Sequence, residues 1–237
     1  MCVVCTVVVR WPVDGASQIL ALRDELTSRD FDDPGRWWPE APDVVGGRDR
    51  TAGGTWCASD VRTGVTALVL NRPPKRVADP GAPSRGVLPL LAVEHGASWV
   101  EAAQVEGMAS FLLVLASPSA LTAWSFDGQE LTSACYDPGV QMFTSGGAED
   151  GKALRYLDRF KQRPAPEEWL SVVEAPGPAD DRAALVVRLE RADFVFATVF
   201  GQLIESRPGG VRLRYSRQPW LRDSWLRKSW LAQDFTG

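Results

Sequence analysis

The chain has 237 residues, 45% of them hydrophobic and 24% charged, which is the composition of a folded globular protein rather than a disordered or fibrous one. Its 26 Lys and Arg stand against 30 Asp and Glu, so a formal charge of -4 leaves no overall positive field to hold nucleic acid. No apolar run approaches the roughly 18 residues of a transmembrane helix, and Arg10 ends the first run too early for a secretory signal. With only 4 cysteines, we expect reduced thiols and a cytoplasmic location.

Hydrophobic periodicity and turn residues predict the order of the secondary-structure elements. In chain order we predict a hairpin (3–9 and 18–22), a packed loop (30–49), two strands (53–57 and 65–70), two helices (87–96 and 97–107), four strands (111–116, 122–126, 131–136 and 141–145), two helices (149–160 and 166–173) and a closing hairpin (192–204 and 211–215). This order predicts an α+β fold with mainly antiparallel sheets. The length favours one domain over 1–237.

The terminal segment 218–237 is rich in tryptophan. Trp220, Trp225 and Trp230 recur in it at a spacing that does not stay on one face of a helix. Because tryptophan is largely buried in proteins, we expect this segment to pack on the domain, with a partner or membrane-surface contact as the alternative.

The opening MCVVC raises the question of a metal or dithiol site. Side chains three residues apart on a strand face opposite ways, so the β-branched residues around Cys2 and Cys5 separate the two sulfurs. No second pair of ligands is present, because His95 is the single histidine. We therefore predict no metal site, and for Cys5 a small buried thiol.

Cys2 becomes the first residue if Met1 is removed. A terminal cysteine has its own base, because the α-amine, with a pKa near 8 in unperturbed peptides, can take the thiol proton directly or through one water. A chance cysteine after methionine is the alternative.

Several short motifs together resemble one family. They are the initial MC, Arg23-Asp24-Glu25 after the second apolar run, the GGTW of 53–56, a strand-terminal Asn71 and the SRG of 84–86. This set is similar to the NRDE family, also called the transport and Golgi organization 2 family. The resemblance is most specific over the first 90 or so residues, and Leu22 stands where the family has the asparagine of its name.

The resemblance implies the fold and the chemistry of the amino-terminal-nucleophile (Ntn) superfamily. The implied fold is a four-layer αββα sandwich of two mainly antiparallel sheets. In the cysteine branch of that superfamily, an Arg and an Asp from the second strand lie beside the nucleophile. By this likeness Arg23 holds the Cys2 thiolate, and Asp24 orients the α-ammonium.

Asn71 has two interpretations at this stage. Its side-chain amide can donate to a tetrahedral oxyanion, or it can form the turn before Arg72-Pro73. Trp37 and Trp38 of the predicted loop, and Trp56 of GGTW, are the expected apolar contacts of a ligand.

Two functions follow as expectations. The first is an amidohydrolase or acyltransferase that acts through Cys2 on a linear amide or acyl compound and needs no cofactor. The second is a family protein that handles haem or acyl lipids without catalysis, in which His95 could ligate haem, although its loop position favours a solvated side chain. Either way, the expected partner is a small acyl or amide ligand, and the oligomeric state stays open.

Overall fold

The fold is known from a computed structural model that describes residues 5–147, 150–164, 166–174, 183–217 and 230–237. The strands are β1 (Thr6–Val13), β2 (Ala16–Leu26), β3 (Phe31–Gly35), β4 (Val44–Asp49), β5 (Cys57–Asp60), β6 (Thr66–Asn71), β7 (Phe111–Ala116), β8 (Leu121–Phe126), β9 (Leu131–Tyr136), β10 (Gly139–Thr144), β11 (Arg188–Glu190), β12 (Val195–Arg207), β13 (Gly210–Arg217) and β14 (Leu231–Thr236). The helices are α1 (Leu88–His95), α2 (Trp99–Ala102), α3 (Gly151–Lys161) and α4 (Pro166–Glu174).

The strands form two antiparallel sheets. The first has the order β10-β1-β2-β12-β13-β14, with the short β11 added on β12. The second runs β3-β4-β5-β6-β7-β8-β9, in the order of the chain. The amino-terminal strand therefore lies inside the first sheet, between β10 and β2.

The two sheets pack face to face. On β2 the alternation of a half-buried strand sends Ile19 and Ala21 to one face, where they join Leu68 of β6 and Val114 of β7 in a common apolar core. Burial of such residues is the main favourable term for this packing, at about 25 cal/mol per Å² of apolar surface.

Helices cover the outer faces. Leu20 and Leu22 point to the opposite side of β2 and pack with Tyr156 of α3 and Trp169 of α4. The outer face of the second sheet packs on α1 and α2 with a separate cluster that includes the fully buried Trp99. The layers are thus helix, sheet, sheet and helix, which confirms the predicted αββα sandwich. None of the described helices is long and apolar enough to cross a bilayer.

Most of the predicted elements are present, and three predictions were wrong. The strand predicted over 53–57 begins only at Cys57, as β5, because Gly53 has a φ of +73° and Gly54 packs on the backbone of Gly86. The segment 30–49, predicted as a loop, contains the paired strands β3 and β4. The Asp32 carboxylate on β3 accepts hydrogen bonds from the side chains of Arg48 and Arg50, and these bonds stabilise the pairing. The helix predicted over 97–107 is a single turn, since Ala103 is already extended and Gly107 has a φ of +77°.

The terminal segment was predicted only as a packed tail. Trp220 and Trp225 lie outside the described residues. Trp230 is buried, and β14, which sequence analysis did not predict, pairs with β13 at the edge of the first sheet.

Candidate functional site

A cleft of about 130 Å³ opens where the ends of β2, β4 and β6 approach the residue before β1. It is lined by three of the four predicted catalytic residues, Arg23, Asp24 and Asn71. Trp56, a predicted ligand contact, also lines it. Cys5, the first described residue of the chain, also lines it. The fourth predicted catalytic residue, Cys2, lies outside the described residues.

Arg23 is a buried cation on the side of β2 that faces the second sheet. Its guanidinium lies 4.5 Å from the ring centre of Trp56 and 5.3 Å from that of Phe31, so two aromatic faces hold the charge. Nη2 donates to Asp49 Oδ2 at 3.4 Å and to Glu25 Oε2 at 3.5 Å. Nη1 is buried and has no acceptor among the described residues.

Asp24 points to the opposite side of the strand, toward the helix layer. Its Oδ1 accepts a hydrogen bond of 2.6 Å from the Thr198 hydroxyl, and its Oδ2 lies 3.6 Å from the ammonium of the fully buried Lys152. Burial raises the pKa of Asp24 to about 6, although Lys152 and Thr198 oppose the rise. Oδ2 accepts no hydrogen bond from any described side chain within normal distance.

Cys5 is an inert thiol in this position. Its Sγ donates to the backbone oxygen of Asp24 at 3.7 Å, and burial raises the pKa of Cys5 to about 12. At neutral pH it is therefore protonated. The residue is partly buried at the wall of the cleft, rather than fully buried as predicted. In the part of the chain that the structure describes, no cluster of three His, Cys, Asp or Glu residues could hold a metal ion.

Asn71 is the last residue of β6, as the sequence predicted. It is half-buried at the cleft, and its amide forms no side-chain hydrogen bond with the described residues. An amide without a partner at this place is compatible with donation to an oxyanion. Its catalytic role stays a prediction.

The GGTW and SRG motifs form the wall of the cleft by packing on each other. A Cβ on Gly54 would lie 2.5 Å from the backbone of Gly86, and Thr55 N donates to Gly86 O at 2.9 Å. Only glycine permits this approach. The Trp56 ring lies over Gly47, where a Cβ would come within 2.3 Å of it, so the glycines set the surface on which Arg23 rests.

Four charged residues of the cleft were not predicted as site residues, namely Glu25 of the Arg23-Asp24-Glu25 motif, Arg29, Asp49 and Arg85. Asp49 accepts hydrogen bonds from Arg29 Nε at 2.6 Å and from Ala52 N at 2.9 Å. Burial opposes the ionisation of Asp49, but these bonds outweigh it and lower its pKa. Arg85 of the SRG motif donates to Ser110 O at 2.9 Å, and burial lowers its pKa. The SRG motif was the sequence signal for Arg85, whereas no motif contains Arg29 or Asp49.

Lys152 and Thr198 were also missed, because each reaches Asp24 from a distant part of the sequence. Lys152 is in the first turn of α3, and Asp150 caps that helix by accepting from its backbone N–H at 2.8 Å. Thr198 sits opposite Asp24 in the register of β12 and β2.

The other predicted contact residues lie elsewhere. Trp37 packs under the guanidinium of Arg48 at 4.7 Å, and Trp38 is buried with its Nε1 donating to Gly53 O at 3.2 Å. Neither lines the cleft, so their part in ligand binding stays a prediction. His95 ends α1 with its side chain 38% exposed, 3.8 Å from Glu94.

Comparisons with known proteins found a matching family and similar solved structures. The family described as Transport and Golgi organisation 2 matches residues 1–146, which is more than half of the chain. Among solved structures, a Caenorhabditis elegans N-acylethanolamine-hydrolyzing acid amidase (NAAA) ortholog is similar at 12% identity and a TM-score of 0.49, covering 84% of this chain and 92% of that chain. No match was found among curated proteins.

Proposed function

The chain belongs to the Transport and Golgi organisation 2 family, and on that premise we propose that it is an amino-terminal-nucleophile cysteine amidohydrolase or acyltransferase. Cys2, exposed as the first residue by removal of Met1, is the proposed nucleophile. Its substrate is a linear amide or an activated acyl compound.

The observation that supports this proposal is a pair of unsatisfied polar atoms on consecutive residues. Arg23 Nη1 and Asp24 Oδ2 are buried, and neither has a hydrogen-bond partner among the described residues. Buried polar groups in native proteins are almost always paired, so a guanidinium N–H without an acceptor needs an explanation, and so does a carboxylate oxygen whose nearest cation, the Lys152 ammonium, is 3.6 Å away. A thiolate and an α-ammonium of one residue would satisfy both.

Covalent geometry makes this assignment feasible. Cys5 Sγ lies 3.7 Å from the backbone oxygen of Asp24, and Cys2 precedes Cys5 by three residues. Consecutive Cα atoms are about 3.8 Å apart, so the Cα atoms of Cys2 and Cys5 are within about 11 Å of each other. The first residue is therefore tethered within reach of the cleft.

In the proposed reaction, the α-amine takes the proton of the Cys2 thiol, and the sulfur attacks the carbonyl carbon of the substrate. Arg23 stabilises the thiolate by Coulomb attraction, and the Asn71 amide donates to the oxyanion. The C–N bond breaks as the α-ammonium returns the proton to the leaving amine, which leaves a thioester on Cys2. Water releases the acid, or an amine takes the acyl group.

The test has two parts. Intact mass and amino-terminal sequencing of protein from its native host should show a chain that begins at Cys2. The purified protein is then incubated with a panel of acyl-CoAs and N-acyl amines, and the acyl adduct is located by peptide mass spectrometry. We expect an adduct on Cys2 that is absent in Cys2→Ala and unchanged in Cys135→Ala, which removes an exposed thiol that does not line the cleft.

Two results would overturn the proposal. Retention of Met1 in the native host leaves Cys2 without a free amine and removes the base. Ligand binding with no adduct, and with equal affinity in Cys2→Ala, would instead support the non-catalytic handling of acyl lipids or haem.

A further inference from the structure

A second cavity is lined by the residue that directly follows one of the cleft residues. Its volume is about 300 Å³, larger than that of the cleft. Asn71 lines the cleft, and the next residue, Arg72, lines this cavity. The cavity sits under the edge strand β10, with α3 at its mouth.

The walls are mostly apolar. Leu112, Met142 and Phe143 form the interior, and the ring of Tyr136 lies edge-on to Phe143 with centroids 5.0 Å apart. At the mouth is Leu154, which is 73% exposed and is one of three large hydrophobic side chains so exposed among the described residues. An exposed leucine at the mouth of an apolar cavity extends the apolar surface outward to where the tail of a ligand would enter.

One cation in this wall, the Arg72 guanidinium, has no partner among the described residues. Arg72 N donates to Ser110 O at 3.2 Å, which fixes the backbone, and its Nη2 lies against Gly147, where a Cβ would be 3.2 Å away. Its guanidinium forms no ion pair or hydrogen bond with any residue that the structure describes. A guanidinium presents parallel N–H donors that match a carboxylate.

The other polar groups of the wall restrict the charge of the ligand. The Tyr136 hydroxyl, whose pKa burial raises, is a second donor. The Asp158 carboxylate at the rim pairs only loosely with Lys161, at 3.8 Å, and would repel an anion of higher charge. Among the described residues, the wall has one unpaired cation and one rim carboxylate, which suits a single negative charge better than a phosphate dianion.

We propose that this cavity is a binding site for an amphipathic monocarboxylate, with the carboxylate on Arg72 and an aliphatic tail against Met142 and Phe143. The site is independent of the proposed chemistry at Cys2, because it uses none of the same residues. Its occupant would lie next to Asn71.

The test is titration of the full chain, with its methionine methyl groups labelled for NMR, with decanoate, decanol and butyrate below their aggregation limits. We expect decanoate to bind and to shift the Met142 methyl signal. Decanol should bind about tenfold more weakly because it lacks the charge, and butyrate should not bind because it lacks the tail.

Variants separate this site from alternatives. Arg72→Gln should weaken decanoate binding about tenfold and leave decanol unchanged, whereas Arg76→Gln, which removes an exposed arginine paired with Asp79, should change neither. Ala153→Leu should block both ligands by filling the cavity, with a circular dichroism melt to verify folding.

Cys2→Ala should bind decanoate normally, even if the acyl adduct is lost. Equal affinity for decanoate in Arg72→Gln, equal affinity of decanoate and decanol, or an unmoved Met142 signal would each overturn the proposal.

Discussion

The buried ion pair between Lys152 and Asp24 gives a prediction whose sign depends on pH. In Lys152→Met an apolar side chain of similar length replaces the ammonium, and Asp24 keeps the Thr198 hydrogen bond. Removal of one partner from a buried pair typically costs about 3 to 5 kcal/mol, because the remaining charge is left uncompensated. We expect the free energy of unfolding to fall by about 3 kcal/mol at pH 8.

The cost should decrease at low pH. Lys152 lowers the pKa of Asp24, so the variant raises that pKa above its value of about 6 in the native protein. Between the two pKa values the folded variant holds a proton that the folded native protein has lost. The difference in stability therefore grows with rising pH, by at most about 1.4 kcal/mol per pH unit. Below pH 6 the carboxyl is neutral in both folded proteins, and the cost is smallest.

Urea unfolding at pH 5 and pH 8, followed by tryptophan fluorescence, measures this difference. With a slope of about 3 kcal/mol per M, expected for a chain of this size, 3 kcal/mol moves the midpoint by about 1 M. The control is Lys161→Met, which changes a half-exposed lysine on the same helix and should alter stability by less than about 0.5 kcal/mol. A cost for Lys152→Met that is equal at both pH values, or larger at pH 5, would refute the reasoning.

Two further predictions concern the walls of the cleft and the other thiols. Gly54→Ala places a Cβ 2.5 Å from the backbone of Gly86 and should lower the free energy of unfolding by about 3 kcal/mol, whereas Gly210→Ala, with its nearest atom at 3.7 Å, should cost less than about 1 kcal/mol in the same urea assay. Equal effects would show that the two motifs are not in close contact. Iodoacetamide at pH 7.5 should alkylate the exposed Cys135 rapidly and Cys57 hardly at all, because burial raises the pKa of Cys57 to about 12. Peptide mass spectrometry over time measures the alkylation rate of each thiol, and similar rates would contradict the burial of Cys57.

The parts of the fold that sequence analysis predicted well are those held together by neighbouring segments. The strands over 111–145 were found because they are short runs of strand-forming residues that follow one another at hairpin spacing, with turn residues between them. The three-residue β11 has no such signal, and β14 was hidden by the tryptophan pattern that precedes it. In 30–49 the prolines and glycines outweighed a strand pairing that depends on ion pairs to Asp32.

The candidate site was predictable only in part. Arg23, Asp24 and Asn71 came from motifs in the first third of the chain, and the structure brings them to one cleft. The groups that surround Asp24 could not be seen in the same way, because Thr198 is 174 residues away along the chain and Lys152 occurs in an ordinary amphipathic helix. The pairing of β2 with β12 places Thr198 opposite Asp24, and Lys152 reaches the same carboxylate from α3.

The strand order also has a consequence for synthesis on the ribosome. The second sheet joins strands that follow one another along the chain, so it can assemble while the polypeptide is still emerging. The first sheet cannot, because β2 has β12 as a neighbour and waits for residues near the carboxyl terminus. Arg23 and Asp24 are made among the first, yet their surroundings are completed among the last. A nascent or truncated chain should therefore have no working cleft, whatever the chemistry at its amino terminus.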